Sequence, residues 1–391
     1  MGEDRSGRIH SMDALRASSM LLLVPVHAAM LLAVNGHPGA WASAIYWSIH
    51  VFRLPLFFAM SGFFLALLVA RRGVGPTLRN RTLRIAVPLA VGLFTLIPLL
   101  IAASHASGVA ISGEGSPPHG GTLKVQLSYL WFLWYLLILD GVAFSTYLLV
   151  PRAARRLGRG MRWAIATPLA GIALLAVPTA MALWQQPEWT AAAPAGSFVP
   201  NLSTLFYYAL FFALGATLCR HRELVDAARR DAWKWAACAA GATLPAAVLF
   251  ASHNSPQLGG SPVIHGAALL IYAMATWTSL IALVGLASRY LNRPRTALRY
   301  MADSSYWIYL FHLTPMVLLI ALLSTTGLGT PAQFTLIVAG SLAASFATYP
   351  LLVRHTPIGW VLNGRRERTR PPLWRVPLPP SAPAAPSRPA G

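Results

Sequence analysis

Charged side chains and cysteines are both scarce in this 391-residue sequence. Only 11% of the residues are Asp, Glu, Lys or Arg, less than half of the roughly 25% typical of soluble globular proteins. This scarcity excludes a soluble enzyme and, with 56% hydrophobic residues and a mean hydropathy of +0.55, predicts a polytopic membrane protein. The two cysteines, Cys219 and Cys238, fit no metal-binding or redox spacing, so no disulfide framework is expected.

Acidic residues are much scarcer than basic residues, and the positions of the basic residues indicate how the chain crosses the membrane. The sequence holds 31 Lys and Arg against 11 Asp and Glu, which gives a net charge of +20. In a soluble chain such a charge would suggest a nucleic-acid surface. Here the basic residues fall in alternate connections between apolar runs, and the intervening connections contain none. A nucleic-acid patch would not skip every second connection, so no nucleic-acid partner is expected.

The apolar runs predict an all-α integral membrane protein of about ten transmembrane helices. A bilayer crossing needs roughly 20 mostly apolar residues. Since basic connections remain in the cytoplasm, the alternation places both termini there. The ten predicted spans are approximately 16–35, 45–70, 85–104, 125–150, 163–184, 202–219, 235–252, 263–287, 304–324 and 332–353.

The chain divides into one membrane domain and one tail. Residues 1–355 contain all the predicted spans, and the connections between them are too short to hold a second domain. Residues 356–391 form a basic tail, with eight prolines between Pro371 and Gly391. A segment of this composition cannot bury an apolar core, so the tail is predicted to be cytoplasmic and disordered.

Few ionisable side chains lie within the predicted spans. Each costs at least ~2.5–3.5 kcal/mol to insert at membrane depth, which makes such residues functional candidates. Those singled out as candidates are Arg16, His27, Arg53, Asp140 and His312.

Helical spacing predicts that several of these residues lie close together. Arg16 and His27 are 11 residues apart, close to three helical turns, so both lie on one face about 16 Å apart along the axis. Asp13 falls on nearly the same face. His27 is about eight residues from the outer end of the first span, and Arg53 is about eight residues past the outer start of the second. His27 and Arg53 are therefore expected at similar depth.

Each of these residues allows two interpretations from the sequence. His27 is suited to general-base chemistry near neutral pH, but a hydrogen bond to a neighbouring helix is the alternative. Arg53 is a candidate for substrate or oxyanion stabilisation, or it pairs with Asp140, because an unpaired buried charge is costly. His312 follows an aromatic run and suits a structural or a catalytic role.

Arg81 and Arg84 precede the third predicted span and are spaced to share one face of a helix. Guanidinium groups bind phosphate oxygens well, which suggests a nucleotide or coenzyme-A clamp on the cytoplasmic side. The alternative is the ordinary positive charge of a cytoplasmic connection.

Together these residues resemble the motifs of the acyltransferase-3 family of integral membrane O-acyltransferases. The similarity covers about residues 10 to 355. It rests on segments 12–16 with His27, 57–64, 81–88, 130–136 and 305–312. Residues 50–53 before Phe57 and Phe58 are most similar to the branch that includes the osmoregulated periplasmic glucan succinyltransferases.

The resemblance implies a multi-pass enzyme that moves an acyl group, such as acetyl or succinyl, from cytoplasmic acyl-CoA to a hydroxyl. The acceptor would be an extracytoplasmic or membrane-associated glycan or glycosylated metabolite. His27 would be the catalytic histidine with Arg16 as its motif partner, Arg53 would assist it, and Arg81 and Arg84 would hold the donor. Asp13, His312 and Asp140 remain substrate-binding or structural candidates. No metal is expected.

A transporter or flippase for a glycan or lipid precursor is the alternative function. It too requires buried charge and many spans. The sequence shows no internal repeat, a feature that many transporters have.

Overall fold

A computed structural model describes residues 9–36, 40–111, 127–186, 197–251, 261–293 and 295–363. Every regular element among these residues is a helix, as the predicted all-α class requires. The α-helices are α1 His10–Leu21, α2 Leu23–Val34, α3 Ala40–Arg72, α4 Val74–Phe94, α5 Leu96–Ser107, α6 Trp131–Leu149, α7 Pro151–Ala166, α8 Pro168–Leu183, α9 Leu202–Arg220, α10 Arg222–Arg230, α11 Ala232–Ala251, α12 Pro262–Tyr290, α13 Thr296–Phe311, α14 Leu313–Ser324, α15 Thr330–Thr348 and α16 Pro357–Asn363. A 3₁₀ turn (Ser128–Leu130) precedes α6, and a π-helix (Tyr349–Arg354) follows α15.

Between seven and eight helical segments are long and apolar enough to cross a membrane, so the chain is a multi-pass membrane protein. Seven of them qualify alone, and the bent pair α13–α14 makes the eighth. The predicted spans at 163–184 and 235–252 correspond to α8 and α11, which do not belong to this set. The count of ten and the cytoplasmic location of the termini therefore stay predictions.

Three of the membrane helices are broken three residues before a proline. The breaks fall at Leu22 before Pro25, at Thr95 before Pro98 and at His312 before Pro315. Proline removes a backbone donor, and its ring clashes with the carbonyl four residues earlier. The break at His312 bends α13 and α14 by 64° relative to each other. Backbone irregularities of this kind at membrane depth occur where protein surrounds them or where they line a cavity.

Close helix packing surrounds α3, which contacts α1, α2, α9 and α12. Gly62 on α3 lies against the backbone of Phe212, and Gly215 on α9 lies against the backbone of Ala59. A Cβ at either glycine would overlap these backbone atoms. The interface between α3 and α9 thus depends on two glycines, as expected where membrane helices approach closely.

The connections predicted to be basic are largely helical. Gly73, with a φ of 78°, turns the chain directly from α3 into α4. The helix α4 therefore begins at Val74, and Arg81 and Arg84 lie on it rather than in a loop before the third span. Two further basic connections contain the amphipathic helices α7 and α10.

The helical part of the chain extends past the predicted domain boundary at residue 355. Helix α16 packs against α4, α13 and the π-helix. Residues 357–363 are helical, and Leu362 is buried against the core. The disorder expected from residue 356 stays a prediction. The remainder of the tail, 364–391, lies outside the described residues.

Candidate functional site

Two histidines from distant parts of the sequence meet inside the helical bundle. His27 lies on α2, two residues after Pro25, and His312 occupies the break between α13 and α14. Nδ1 of His27 and Nε2 of His312 are 2.8 Å apart, which is a hydrogen bond. The ring centroids are 5.0 Å apart and the ring planes are inclined by 25°, so the two rings meet edge to edge through this hydrogen bond. Each histidine thus provides the other with a hydrogen-bond partner inside the bundle.

His312 is held by the last turn of α13. Its backbone N–H bonds the carbonyl of Ile308 at 3.0 Å, so the chain remains helical up to the break. Its ring Nδ1 lies 3.0 Å from the carbonyl oxygen of Ile308 and 2.9 Å from that of Tyr309. The ring of His312 thus bonds carbonyls of the helix that ends directly before it.

Aromatic side chains enclose the histidine pair. The ring of Tyr129 lies edge-on to His312 at 6.1 Å, and its hydroxyl donates to the carbonyl of Leu310 at 2.7 Å. The hydroxyl of Tyr309 donates to the carbonyl of Tyr129 at 3.0 Å. These two bonds tie the 3₁₀ turn before α6 to the end of α13 and fix the backbone that carries His312.

Arg53 lies on α3 and is 5% exposed. It is within electrostatic range of His27 and His312. Three phenol groups are also within electrostatic range of its guanidinium, those of Tyr46, Tyr208 and Tyr309. Nε of Arg53 is buried without a hydrogen-bond partner among the described residues. A buried donor without a partner is costly, and a ligand oxygen would satisfy it.

His50, one helical turn before Arg53, is a site residue that the sequence reasoning missed. It stacks on Tyr46 with centroids 4.9 Å apart, and its Nδ1 is buried without a hydrogen-bond partner in the described part of the chain. His50 also interacts electrostatically with His27. The spacing of three residues between His50 and Arg53 was the available signal, because it places both on one helix face.

Asp140 pairs with Arg81 and not with Arg53, so the pairing considered from the sequence is wrong. Nε and Nη2 of Arg81 donate to the two carboxylate oxygens of Asp140 at 2.8 and 2.9 Å. Nη2 also donates to Ser61 Oγ at 2.5 Å. The side chains of Arg81 and Asp140 are 15% and 4% exposed. This bidentate salt bridge joins α4, α6 and α3, and it neutralises the charge predicted for donor binding.

Four arginines, Arg16, Arg72, Arg81 and Arg84, form an arginine cluster around Arg84 on α4. Arg84 interacts electrostatically with the other three. Arg16 is paired with Asp13 at 3.1 Å, and its guanidinium lies 5.1 Å from the ring centre of Phe64. Nε of Arg84 is buried and has no hydrogen-bond partner among residues the structure describes. Arg84 is therefore the member of the cluster best placed to receive an anion.

Helix α13 connects the arginine cluster to the histidine pair. The hydroxyl of Tyr306 donates to the carbonyl of Arg84 at 2.7 Å. Three residues later Tyr309 lies near Arg53, and three residues after that the chain reaches His312. Six residues of helix rise about 9 Å. The two groups of polar residues are thus neighbours along one helix.

Metal ligands do not cluster in the described part of the chain. No three His, Cys, Asp or Glu side chains there are arranged to hold a metal ion. The expectation of a metal-independent reaction stays a prediction. Cys219 and Cys238 are both free thiols.

Comparison with known proteins identifies the family of this chain. Residues 9–350 match the acyltransferase-3 family, described as an acyltransferase domain. The chain is 26% identical over 331 residues to a protein named Glucans biosynthesis protein C from Salmonella gallinarum, covering 78% of this chain and 81% of the relative. Relatives of the same name from Salmonella paratyphi B and Salmonella dublin show the same identity and coverage.

No solved structure matches the chain. The family match covers most of the sequence and nearly all of the described helices. The resemblance recognised in the sequence motifs is thereby confirmed: the chain belongs to the acyltransferase-3 family and is an acyl-transferring membrane enzyme.

Proposed function

We propose that this enzyme moves an acyl group from acyl-CoA to a hydroxyl of a carbohydrate or glycosylated acceptor, with His27 as the general base. The observation that carries the proposal is the hydrogen-bonded pair of His27 and His312, which is within electrostatic range of Arg53, a residue whose buried Nε has no partner in the described structure. A histidine with an adjacent unsatisfied cation suits the transfer of a proton and the stabilisation of an oxyanion.

The acceptor class is supported by the relatives. Several are named Glucans biosynthesis protein C and align over four fifths of their length. We therefore propose a glucan or related glycan as the acceptor. We also propose that the chain crosses a bacterial inner membrane ten times, with both termini in the cytoplasm, because basic connections alternate with connections that lack Lys and Arg.

Donor binding is proposed at the arginine cluster. The phosphates of coenzyme A are anionic, and the buried Nε of Arg84 lacks a partner among the described residues. Arg81 helps to position the cluster and does not bind the phosphates itself, because its charge is already matched by Asp140. Tyr306, bonded to the carbonyl of Arg84, places the cluster one short helical segment from His312. A thioester extended from the cluster along α13 reaches the histidine pair.

The proposed reaction balances as a direct transfer. His27 removes the proton from the acceptor hydroxyl as the oxygen attacks the thioester carbonyl carbon. Arg53 stabilises the negative charge that develops on the carbonyl oxygen. The carbon–sulfur bond then breaks, and the proton on His27 passes to the departing thiolate, giving coenzyme A and an ester. A transient acyl group on His27 is the alternative route.

The first experiment compares purified wild-type enzyme with His27→Ala in proteoliposomes supplied with radiolabelled acyl-CoA and a glucan acceptor. Mass spectrometry of envelope glycans from cells carrying each variant identifies the product. We expect His27→Ala to abolish acylation, whereas His355→Ala, at an exposed histidine remote from the pair, keeps it. Acylation retained by His27→Ala would refute the proposal. An unmodified precursor accumulating in the cytoplasm would instead support transport.

A second experiment tests the donor site with two donors. Arg84→Gln should raise the KM for acyl-CoA about tenfold or more, since a hydrogen bond to a charged group contributes ~1.5–3 kcal/mol. The KM for an acyl-pantetheine without phosphates should stay unchanged. Arg79→Gln, on the same helix but exposed, is the matched control. Equal effects on both donors would place the phosphates elsewhere.

A further inference from the structure

The hydrogen bonds around the histidine pair determine which ring nitrogens carry hydrogens. Nδ1 of His312 faces the carbonyl oxygens of Ile308 and Tyr309 at 3.0 and 2.9 Å. Carbonyl oxygens can only accept, so Nδ1 of His312 must carry the hydrogen. In a neutral imidazole the other nitrogen is then an acceptor. Nε2 of His312 therefore presents a lone pair towards His27.

The tautomer of His312 determines that of His27 through the hydrogen bond between the two rings. Nδ1 of His27 lies 2.8 Å from Nε2 of His312, and one hydrogen must lie between them. Because Nε2 of His312 is an acceptor, the hydrogen belongs to Nδ1 of His27. Neutral His27 consequently has its lone pair on Nε2, the nitrogen that points away from His312.

We infer that His312 is a positioning residue, which holds His27 in the tautomer whose Nε2 can accept a proton. This inference rests on the proposed role of His27 as base. The order of groups is two backbone carbonyls, His312, His27 and then the acceptor hydroxyl. A histidine base is commonly oriented by a partner on its second nitrogen, and here that partner is another neutral ring and not a carboxylate.

The last turn of α13 anchors His312. Its ring bonds the carbonyls of Ile308 and Tyr309, and the carbonyl of Ile308 also accepts the backbone N–H of His312. The bonds from Tyr129 and Tyr309 hold this last turn in place, so that the acceptor end of His312 keeps its direction.

When His27 takes a proton on Nε2, its positive charge can be shared with His312. His27 then has hydrogens on both nitrogens, and Nδ1–H still donates to Nε2 of His312. The bond becomes charge-assisted and stronger. The proton returns from Nε2 of His27 to the thiolate, and the pair recovers its original tautomers. Neither histidine gains or loses a proton over a full cycle.

Two variants of His312 test the positioning role. In His312→Gln the side-chain oxygen can accept from Nδ1 of His27, whereas His312→Leu of similar size offers no acceptor. We expect His312→Leu to lower kcat about 100-fold or more, a typical contribution of general-base catalysis. The KM for acyl-CoA should change less than about twofold, and His312→Gln should recover most of the kcat. Substitution by alanine at His27 should remain the more severe change.

The tautomer itself can be measured. Nitrogen-15 NMR of histidine-labelled protein in lipid nanodiscs distinguishes protonated from unprotonated ring nitrogens, and the His27→Ala spectrum identifies the His27 signals. We expect neutral His27 to carry its hydrogen on Nδ1 in the wild type, with the Nε2 tautomer appearing in His312→Leu. A variant that is folded but shows neither the tautomer change nor the loss of kcat would overturn the inference.

The outcomes separate this inference from the proposed function. If His27→Ala is inactive and His312→Leu is as active as wild type, His27 acts without a positioning partner and the inference is wrong. If His27→Ala retains activity, the proposed function itself fails. A hydrogen on Nε2 of neutral His27 in the wild-type protein would refute the inference whatever the kinetics.

Discussion

The salt bridge between Arg81 and Asp140 is the strongest buried ionic contact described, and it predicts a large effect for a very small change. Asp140→Asn keeps the shape of the side chain but removes its charge. Arg81 is then left with an uncompensated charge at a site where its side chain is 15% exposed. Breaking a buried ion pair from one side costs about 3–5 kcal/mol.

The expected loss of stability follows from the hydrogen bonds that the mutation removes. Arg81 makes two bonds to the carboxylate, at 2.8 and 2.9 Å, and a third to Ser61. In Asp140→Asn one of the carboxylate acceptors becomes an NH₂ donor facing a guanidinium donor. We expect the free energy of unfolding to fall by about 3 kcal/mol or more. Arg81→Met alone should also destabilise, whereas Arg81→Met with Asp140→Leu should recover much of the loss, because no buried charge remains.

The assay is a double-mutant cycle measured by denaturant unfolding in detergent micelles, followed by tryptophan fluorescence. A matched control is Asp231→Asn, since Asp231 bonds Lys234 at the same 2.8 Å but the two side chains are 46% and 84% exposed. An exposed pair of this kind should show no measurable loss. If Asp140→Asn were as stable as wild type and bound acyl-CoA more tightly, Arg81 would be a donor ligand released by the mutation, and the structural interpretation would be refuted.

Three further outcomes are expected from the packing and the site. Arg53→Leu should lower kcat about 100- to 1,000-fold at nearly constant yield of folded protein, because it removes the cation beside the histidine pair; a change in KM alone would contradict this. Gly215→Val should prevent recovery of monodisperse protein by size-exclusion chromatography, because its side chain would overlap the Ala59 backbone, whereas Gly241→Val, with open space around it, should be tolerated. Thr179→Val should lower the free energy of unfolding by about 1–3 kcal/mol, since the buried indole N–H of Trp277 would lose its acceptor at 3.0 Å; an unchanged transition in denaturant would argue against that hydrogen bond.

Much of the architecture follows from composition and apolar runs, because a membrane helix must satisfy its own backbone. The all-helical class and the membrane family were predicted correctly. The spans expected at 163–184 and 235–252 stay predictions, since apolar length does not show whether a helix crosses the bilayer or packs beside it. Helix α8, with 16 residues, is short of the roughly 20 that a crossing needs.

The sequence predicts which site residues lie at a similar depth in the membrane, but it does not predict which side chains pair with each other. Counting residues from the span ends placed His27 near Arg53, and the structure brings them within electrostatic range. The same counting could not show that Asp140 bonds Arg81, because the choice depends on how α3, α4 and α6 pack together. The loop assigned to Arg81 was also wrong, since Gly73 lets α4 begin seven residues before it.

The meeting of His27 and His312 needed information that a single helix cannot supply. Residue His312 is 285 positions from His27, and its direction is set by the break in its own helix. Pro315 was the local signal for that break, and the aromatic run before His312 obscured it. A proline three residues after a polar residue within an apolar run therefore merits attention when candidate sites are sought in such sequences.

The 64° bend between α13 and α14 also sets how this segment matches the thickness of the bilayer. The segment contains 29 residues, which as a straight helix would be about 43 Å long. A hydrocarbon core is roughly 30 Å thick, so a straight helix would have to tilt or project into the headgroups. With α13 upright at about 24 Å and α14 inclined by 64°, the rise of the pair is about 32 Å. The bend at His312 thus shortens the rise of a segment whose first turns carry Arg299 and Asp303, and lipids of different chain length would act first on the angle at His312.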